Sequence, residues 1–198
     1  RGASLVEYAL LVALIAVVPI MAGVGYLLQW GIFNRALKVG GLAPLLAAFG
    51  LAVVLAQLLQ LKFSADSQSL QTGSLGIASI RVTDQISIGV LPLITFLVGV
   101  LVIFGLQMFL SKAPLGRAMR AASDDPETVP LMGIDNRQVY ALSTAIALGT
   151  VGIAGMFLGM RGNFDPQYGQ AMLIFAFEAV IFGGLGSLWG TLIGGMVL

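Results

Sequence analysis

Cysteine and histidine are both absent from the 198 residues. Without them the chain has no disulfide, no thiol nucleophile, no His-assisted triad and almost no route to a zinc or haem site. Charge is scarce as well, at 10% of residues, against about 25% in an average soluble domain. A net charge of +1 offers no clustered cationic face for phosphates, which excludes nucleic acid as a partner. Carboxylates, hydroxyls and amines remain, with no grouping that supports catalysis. No metal site and no bound cofactor are expected.

What is abundant is apolar length: 58% of the chain is hydrophobic, in runs that match the roughly 20 residues a helix needs to cross a bilayer. The expectation is an all-α, polytopic transmembrane bundle of about five full spans plus the start of a sixth, forming one partial domain over 1–198. The spans fall near 5–33, 42–61, 90–110, 139–160, 171–183 and 188–198. The first exceeds the need, which implies tilt or a kink at Pro19. Asn34, Arg35 and Lys38 then mark water, and Pro44 and Pro92 sit in first turns, where a missing amide donor costs least. The chain starts at Arg1 without Met and stops inside an apolar run, so further spans are expected at one or both ends. The first run lacks the basic start of a removable signal peptide and is read as a true span.

The loop after the second span, 62–89, is rich in Ser, Gln, Thr and Gly. Two short alternations in it, Ile80/Val82 and Ile86/Ile88, predict a small hairpin around Thr83-Asp84-Gln85. Orientation follows from basic residues. With the loops after the first and third spans inside, the cytoplasm holds Arg35, Lys38, Lys112, Arg117, Arg120 and Arg137, against Arg1, Lys62, Arg81 and Arg161 outside. On that vote 111–138 is the main cytoplasmic loop and 62–89 is extracytoplasmic.

Four features carry candidate function. In the cytoplasmic loop, Ser123 or Asp125 is placed to cap a helix start; Asp124, Asp125 and Glu127 suit its positive end, and Gly133 its finish. The expectation is a short amphipathic helix, split or kinked at Pro130. An ordinary solvated connector and a helix that docks on a partner both fit that pattern. Glycine is the second feature. Gly155 and Gly159 form a small-xxx-small pair, and Gly186, Gly190 and Gly194 repeat the spacing as one bare stripe after Gly183-Gly184, where a bend is expected. Close helix packing and a backbone-lined path remain open for it. Third, Glu178 lies well inside a span and must face protein or water rather than lipid. It serves either as a proton or ammonium site, which would make an ion-coupled secondary transporter or channel, or as a neutral side chain hydrogen-bonded between helices, or as one near the membrane interface. Fourth, Gly2 followed by Glu7-Tyr8 and a long apolar helix is similar to the processing site of Flp-type pilins; those proteins have one span, and the later runs do not fit them.

From Gly25-Tyr26-Leu27-Leu28-Gln29 onward the chain resembles permease subunits of ATP-binding-cassette importers for branched-chain amino acids. The likeness rests on Leu42-Ala43-Pro44-Leu45-Leu46-Ala47-Ala48-Phe49-Gly50-Leu51, on Leu115-Gly116-Arg117-Ala118-Met119-Arg120-Ala121, on Leu131-Met132-Gly133-Ile134-Asp135 and on Phe182-Gly183-Gly184-Leu185-Gly186-Ser187-Leu188-Trp189-Gly190. The resemblance implies a multi-pass protein of the bacterial inner membrane. Its implied partners are a second homologous permease, two cytoplasmic ATPases that bind the ATP, and a periplasmic substrate-binding protein, with membrane lipid as solvent. Branched-chain or related amino acids, amides or urea are the implied substrates, moved by alternating access. It further implies an ATPase-coupling loop carried by Ser123, Asp124, Asp125, Pro126, Glu127, Leu131, Gly133 and Ile134, and gives Glu178 no role.

Overall fold

A computed structural model describes residues 2–64, 67, 79–83 and 86–198. Most of the stretch 64–78, read in sequence as extracytoplasmic, and Asp84-Gln85 within the expected hairpin, lie outside the described residues. The architecture is that of an all-α polytopic membrane protein with one small hairpin. The long helices are α1 (Gly2–Leu28), α3 (Ala43–Phe63), α4 (Val90–Lys112) and α6 (Asn136–Arg161). At 1.5 Å per residue the shortest of these is about 30 Å long, the thickness of a hydrocarbon core. Leu46, Ile15 and Leu101 among many others are exposed along them, a surface that water does not tolerate and that lipid or protein must cover.

Strands β1 (Ser79–Thr83) and β2 (Ile86–Gly89) pair antiparallel, with an irregularity between Arg81 and Thr83. Gly89, extended at the strand end, leads directly into α4, whose Pro92 sits in the first turn.

Two pairs of helices set the frame. α1 and α6 run antiparallel in close contact: Gly25 meets Thr144 and Ala145, and towards the other end Gly152 meets Met21 and Val17. α7 (Tyr168–Gly183) and α8 (Leu188–Val197) fold against each other as a second antiparallel pair. At 16 residues, α7 is about 24 Å long. Asp165 caps the turn before it by accepting from Gln167 N at 2.8 Å.

α1 stays α-helical through Pro19. The departure from α geometry comes at a single π turn, Gln29–Phe33, after which α2 (Asn34–Ala36) resumes the α pattern. The length of the span implies tilt or a kink at Pro19, and the α pattern is kept there. The polar side chains that accompany the π turn, roughly three turns past Pro19, are described below.

Among the described residues, the cluster of buried apolar side chains lies at the loop end of the bundle, outside the membrane helices' centres. α5 (Pro114–Asp124) starts on Pro114 and folds back across the end of α4, with Gly116 pressed onto the backbone of Phe109 and 2.6 Å from Leu110 Cα at the position a Cβ would take. Its apolar residues Leu115, Met119 and Ala122 recur at helical spacing and pack with Val129 and Val139. Arg117, Arg120 and Asp124 fall on the outer face.

Candidate functional site

The loop differs in layout from the expected helix between Ser123 and Gly133. Its helix is α5, which ends where that helix was to begin: Ser123 and Asp124 occupy the last turn and Asp125 is the C-cap. Pro126 explains the reversal, since the residue before a proline is pushed out of the α region, and Asp125 sits at φ −144°, ψ 86°. The Asp125 carboxylate then accepts from the backbone N–H groups of Glu127 and Thr128, each at 3.2 Å. Hydrogen bonds from the Thr128 side chain and backbone, with a smaller one from the Glu127 N–H, outweigh desolvation and hold this exposed carboxyl below the usual aspartate value.

Val129–Met132 forms a single 3-10 turn, with Pro130 in its first positions where no donor is missed. Gly133 closes it at φ +80° with open space around its Cα, a conformation L side chains rarely adopt. Val129 is buried, whereas Leu131 is 85% exposed and Met132 is 76% exposed. Two apolar side chains thus project from a turn at the outer end of the molecule while Ile134 tucks into the buried cluster. Asp135 caps α6 by accepting from Arg137 N at 2.9 Å, and Asn136 Nδ2 donates to Pro126 O at 2.6 Å. The loop is thereby tied to α6 at both ends.

Glycine is used differently from the expected stripes. On α6 the packing face runs through Ala141, Ala145, Gly149, Gly152 and Gly159, all buried. Gly155, three residues past Gly152, is turned about 60° off that line and faces open space. It does not pair with Gly159 in this seam. Opposite, Gly25 lets the α1 backbone approach Thr144 O, which would lie 2.7 Å from a Cβ at that position. Gly25, Gly149 and Gly152 were not singled out, although their small size and helical spacing signal such a seam.

Gly186 likewise belongs to the turn and not to the α8 stripe. Gly184 (φ +87°) and Gly186 (φ +95°) reverse the chain, and Ser187 caps α8 through Gly190 N at 3.0 Å. A Cβ on Gly183 would strike the Gly190–Thr191 backbone, one on Gly190 the Gly183 carbonyl, and one on Gly194 the Ala179 carbonyl. These glycines border a shallow cavity of about 360 Å³. Glu178, beside Ala179, is half-buried and has no hydrogen-bond or ion-pair partner among the described residues.

A larger cavity, about 610 Å³, lies where the loop meets the membrane helices. Ala122, Ser123 and Pro126 of the loop border it together with Pro44 and Leu45 of α3, and Gln29, Phe33 and Leu37 with Tyr140, Ser143 and Thr144 complete its lining. The connection between α2 and α3 therefore lies at the same end as the 111–138 loop. A polar chain runs along the cavity wall: Thr144 Oγ1 donates to Gln29 Oε1 at 2.8 Å, and Gln29 Nε2 donates to Asn34 Oδ1 at 3.1 Å. Gln29 and Asn34 are buried, so Asn34 does not mark water as the sequence reading had it. Interhelical hydrogen bonds of this kind are worth about 0.6 to 2 kcal/mol in a bilayer.

Residues 2–198 match the family described as branched-chain amino acid transport system / permease component. The chain belongs to this family. Over its whole length it is 30% identical to the high-affinity branched-chain amino acid transport system permease protein BraD of Pseudomonas aeruginosa, of which it covers 65%. Over 57% of its length it is 34% identical to the corresponding LivH protein of Escherichia coli K12, covering 37% of that protein. Half of it is 30% identical to the fructose import permease protein FrcC of Rhizobium meliloti. The permease thus spans less than two thirds of the curated relatives it matches. No solved structure matches it. Membership, with the apolar helices, places the chain in the inner membrane as a multi-pass protein.

Proposed function

We propose that this permease forms part of the transmembrane path of an ATP-driven importer for branched-chain amino acids. The observation that carries the reading is the family match over nearly the entire chain. In this reading the permease pairs with a second homologous permease, receives substrate from a periplasmic binding protein, and is driven by two cytoplasmic ATPases that bind and hydrolyse the ATP. Leucine-like amino acids are the first substrates to test; the selection between them and related amino acids, amides or urea falls mainly to the binding protein.

The contact with the ATPase is assigned to the loop from Ser123 to Ile134. Its form supports that role: Leu131 and Met132 present exposed apolar side chains on a turn, while Met119, Ala122 and Val129 lock the same loop onto α4 and α6. A push on the turn would be carried to the membrane helices as a rigid movement, because close-packed elements transmit displacement rather than absorb it. Alternating access then needs α1–α6 and α7–α8 to rock as units, and glycine seams that bring backbones into contact favour such units.

Co-purification tests the assignment. The complete permease is expected to retain its ATPase in detergent, and Leu131→Asp with Met132→Asp to release it while the permease itself stays folded. Retention of the ATPase by that double variant, with ATP-coupled uptake unchanged, would remove the loop from the interface.

A further inference from the structure

Gln29 and Asn34 are five residues apart, and that spacing decides what their hydrogen bond means. On an α-helix residues i and i+5 point about 140° apart and cannot meet. In a π turn, whose backbone bonds run i to i+5, they stack on one side. Here both levels agree: Asn34 N–H donates to Gln29 O across the π turn, and Gln29 Nε2 donates to Asn34 Oδ1. The side-chain bond exists only while the π register exists. Thr144 completes the arrangement by donating to the remaining Gln29 oxygen, fixing the turn to α6.

We propose that Gln29 is a positioning residue for transport, a clasp that holds the cytoplasmic end of α1 in the π register and releases it during the cycle. Loss of the π turn would add one residue to the α ladder. Everything after Phe33 would turn by about 100° and slide by about 1.5 Å relative to the upper helix. Leu37, which now lines the 610 Å³ cavity, would leave its wall, and the short connection to α3 would be pulled with it. The cavity supplies the room for that turn, and the loop residues Ala122, Ser123 and Pro126 in the same lining place the clasp next to the segment assigned to the ATPase. A hinge made of one π turn and three side chains needs no proline, and Pro19 lies well above it. The inference rests on the importer reading for what the movement accomplishes, and on the geometry alone for the movement.

The test uses the complete permease assembled with its ATPases and binding protein in proteoliposomes. Gln29→Leu keeps most of the side-chain bulk and can bond neither partner; Thr144→Val removes the donor, and Thr144→Ser retains it. Uptake per ATP hydrolysed is expected to fall about tenfold in Gln29→Leu and Thr144→Val, and to stay near the unmodified value in Thr144→Ser. Because the described chain has no cysteine of its own, a Leu37→Cys/Leu45→Cys pair reports the rotation directly. Its cross-linking by a short bifunctional maleimide is expected to slow at least fivefold when Gln29→Leu is added. If Gln29→Leu lowers only the amount of assembled complex, leaving either uptake per ATP or the cross-linking rate unchanged, the positioning role is overturned. Should the unmodified complex import no branched-chain amino acid with ATP, the functional reading fails by itself, and the cross-linking comparison still decides the clasp.

Discussion

Gly25 stands so close to Thr144 that a Cβ added to it would lie 2.7 Å from the Thr144 carbonyl oxygen. The contact joins α1 to α6, and the nearest atoms on α6 belong to its backbone, which cannot give way as the end of a flexible side chain can. Gly25→Val is therefore expected to destabilise the permease by about 1–3 kcal/mol, the usual cost of overpacking. Gly155→Ala, which meets only open space inside a helix, should leave the protein as stable or stabilise it by up to about 1 kcal/mol. Thermal unfolding of the two variants in detergent separates them; equal effects would remove the α1–α6 seam from the account.

The α7–α8 hairpin makes a parallel prediction with a sharper contrast. Gly190→Ala drives a methyl group into the Gly183 carbonyl and is expected to open the hairpin. At Gly195 the nearest atom to an added Cβ is Ala179 Cβ at 3.8 Å, an ordinary contact, so Gly195→Ala should be tolerated. Protease resistance of the Phe182–Leu188 turn in each variant is the readout.

At Gly133 the backbone and the surroundings make different demands. The positive φ penalises most L residues by about 1–2 kcal/mol, yet nothing surrounds the position. Gly133→Asn, which tolerates the left-handed region, should leave the permease stable, whereas Gly133→Val should loosen the loop. If the ATPase docks here, both variants weaken its co-purification; if it does not, only Gly133→Val has any effect.

Asp125 gives a pH dependence. Its folded-state value is lowered, chiefly by the Thr128 side chain and then by the Thr128 N–H. A carboxyl with a depressed folded value adds stability above its unfolded value, and that stability is lost as pH falls through the folded one. The loop should accordingly hold its turn at neutral pH and loosen only below the ordinary aspartate range, near 3.8 and under. Thr128→Val should move the Asp125 titration upward, as followed by carboxyl-carbon NMR in selectively labelled protein.

Much of this was legible beforehand because membrane spans are written in composition. The runs around α3, α4 and α6 form helices long and apolar enough to cross a membrane, and Ile80/Val82 with Ile86/Ile88 announced the hairpin through strand alternation. The loop helix lies upstream of its expected place, ending at Asp124, because two signals compete. Ser123 and Asp125 look like caps for a following helix, but Pro126 prevents Asp125 from being helical, while Pro114 starts a helix upstream. Gln29 was missed since periodicity within a single helix says nothing about a partner 115 positions away. Asn34 beside Arg35 looked like a water boundary, and only the π turn brings it inward. Gly155 was chosen over Gly152 because a four-residue spacing is conspicuous in sequence, whereas the buried face of α6 follows Ala145, Gly152 and Gly159 at seven.

The central claim is import driven by ATP, and uptake by proteoliposomes holding the complete permease, its ATPases and its binding protein measures it most directly. Radiolabelled leucine should accumulate only with ATP inside the ATPase-bearing compartment and with binding protein present, should survive collapse of the pH gradient, and should persist in Glu178→Gln. Accumulation driven by a pH gradient without ATP, and abolished by Glu178→Gln, would contradict the account and make the protein an ion-coupled carrier.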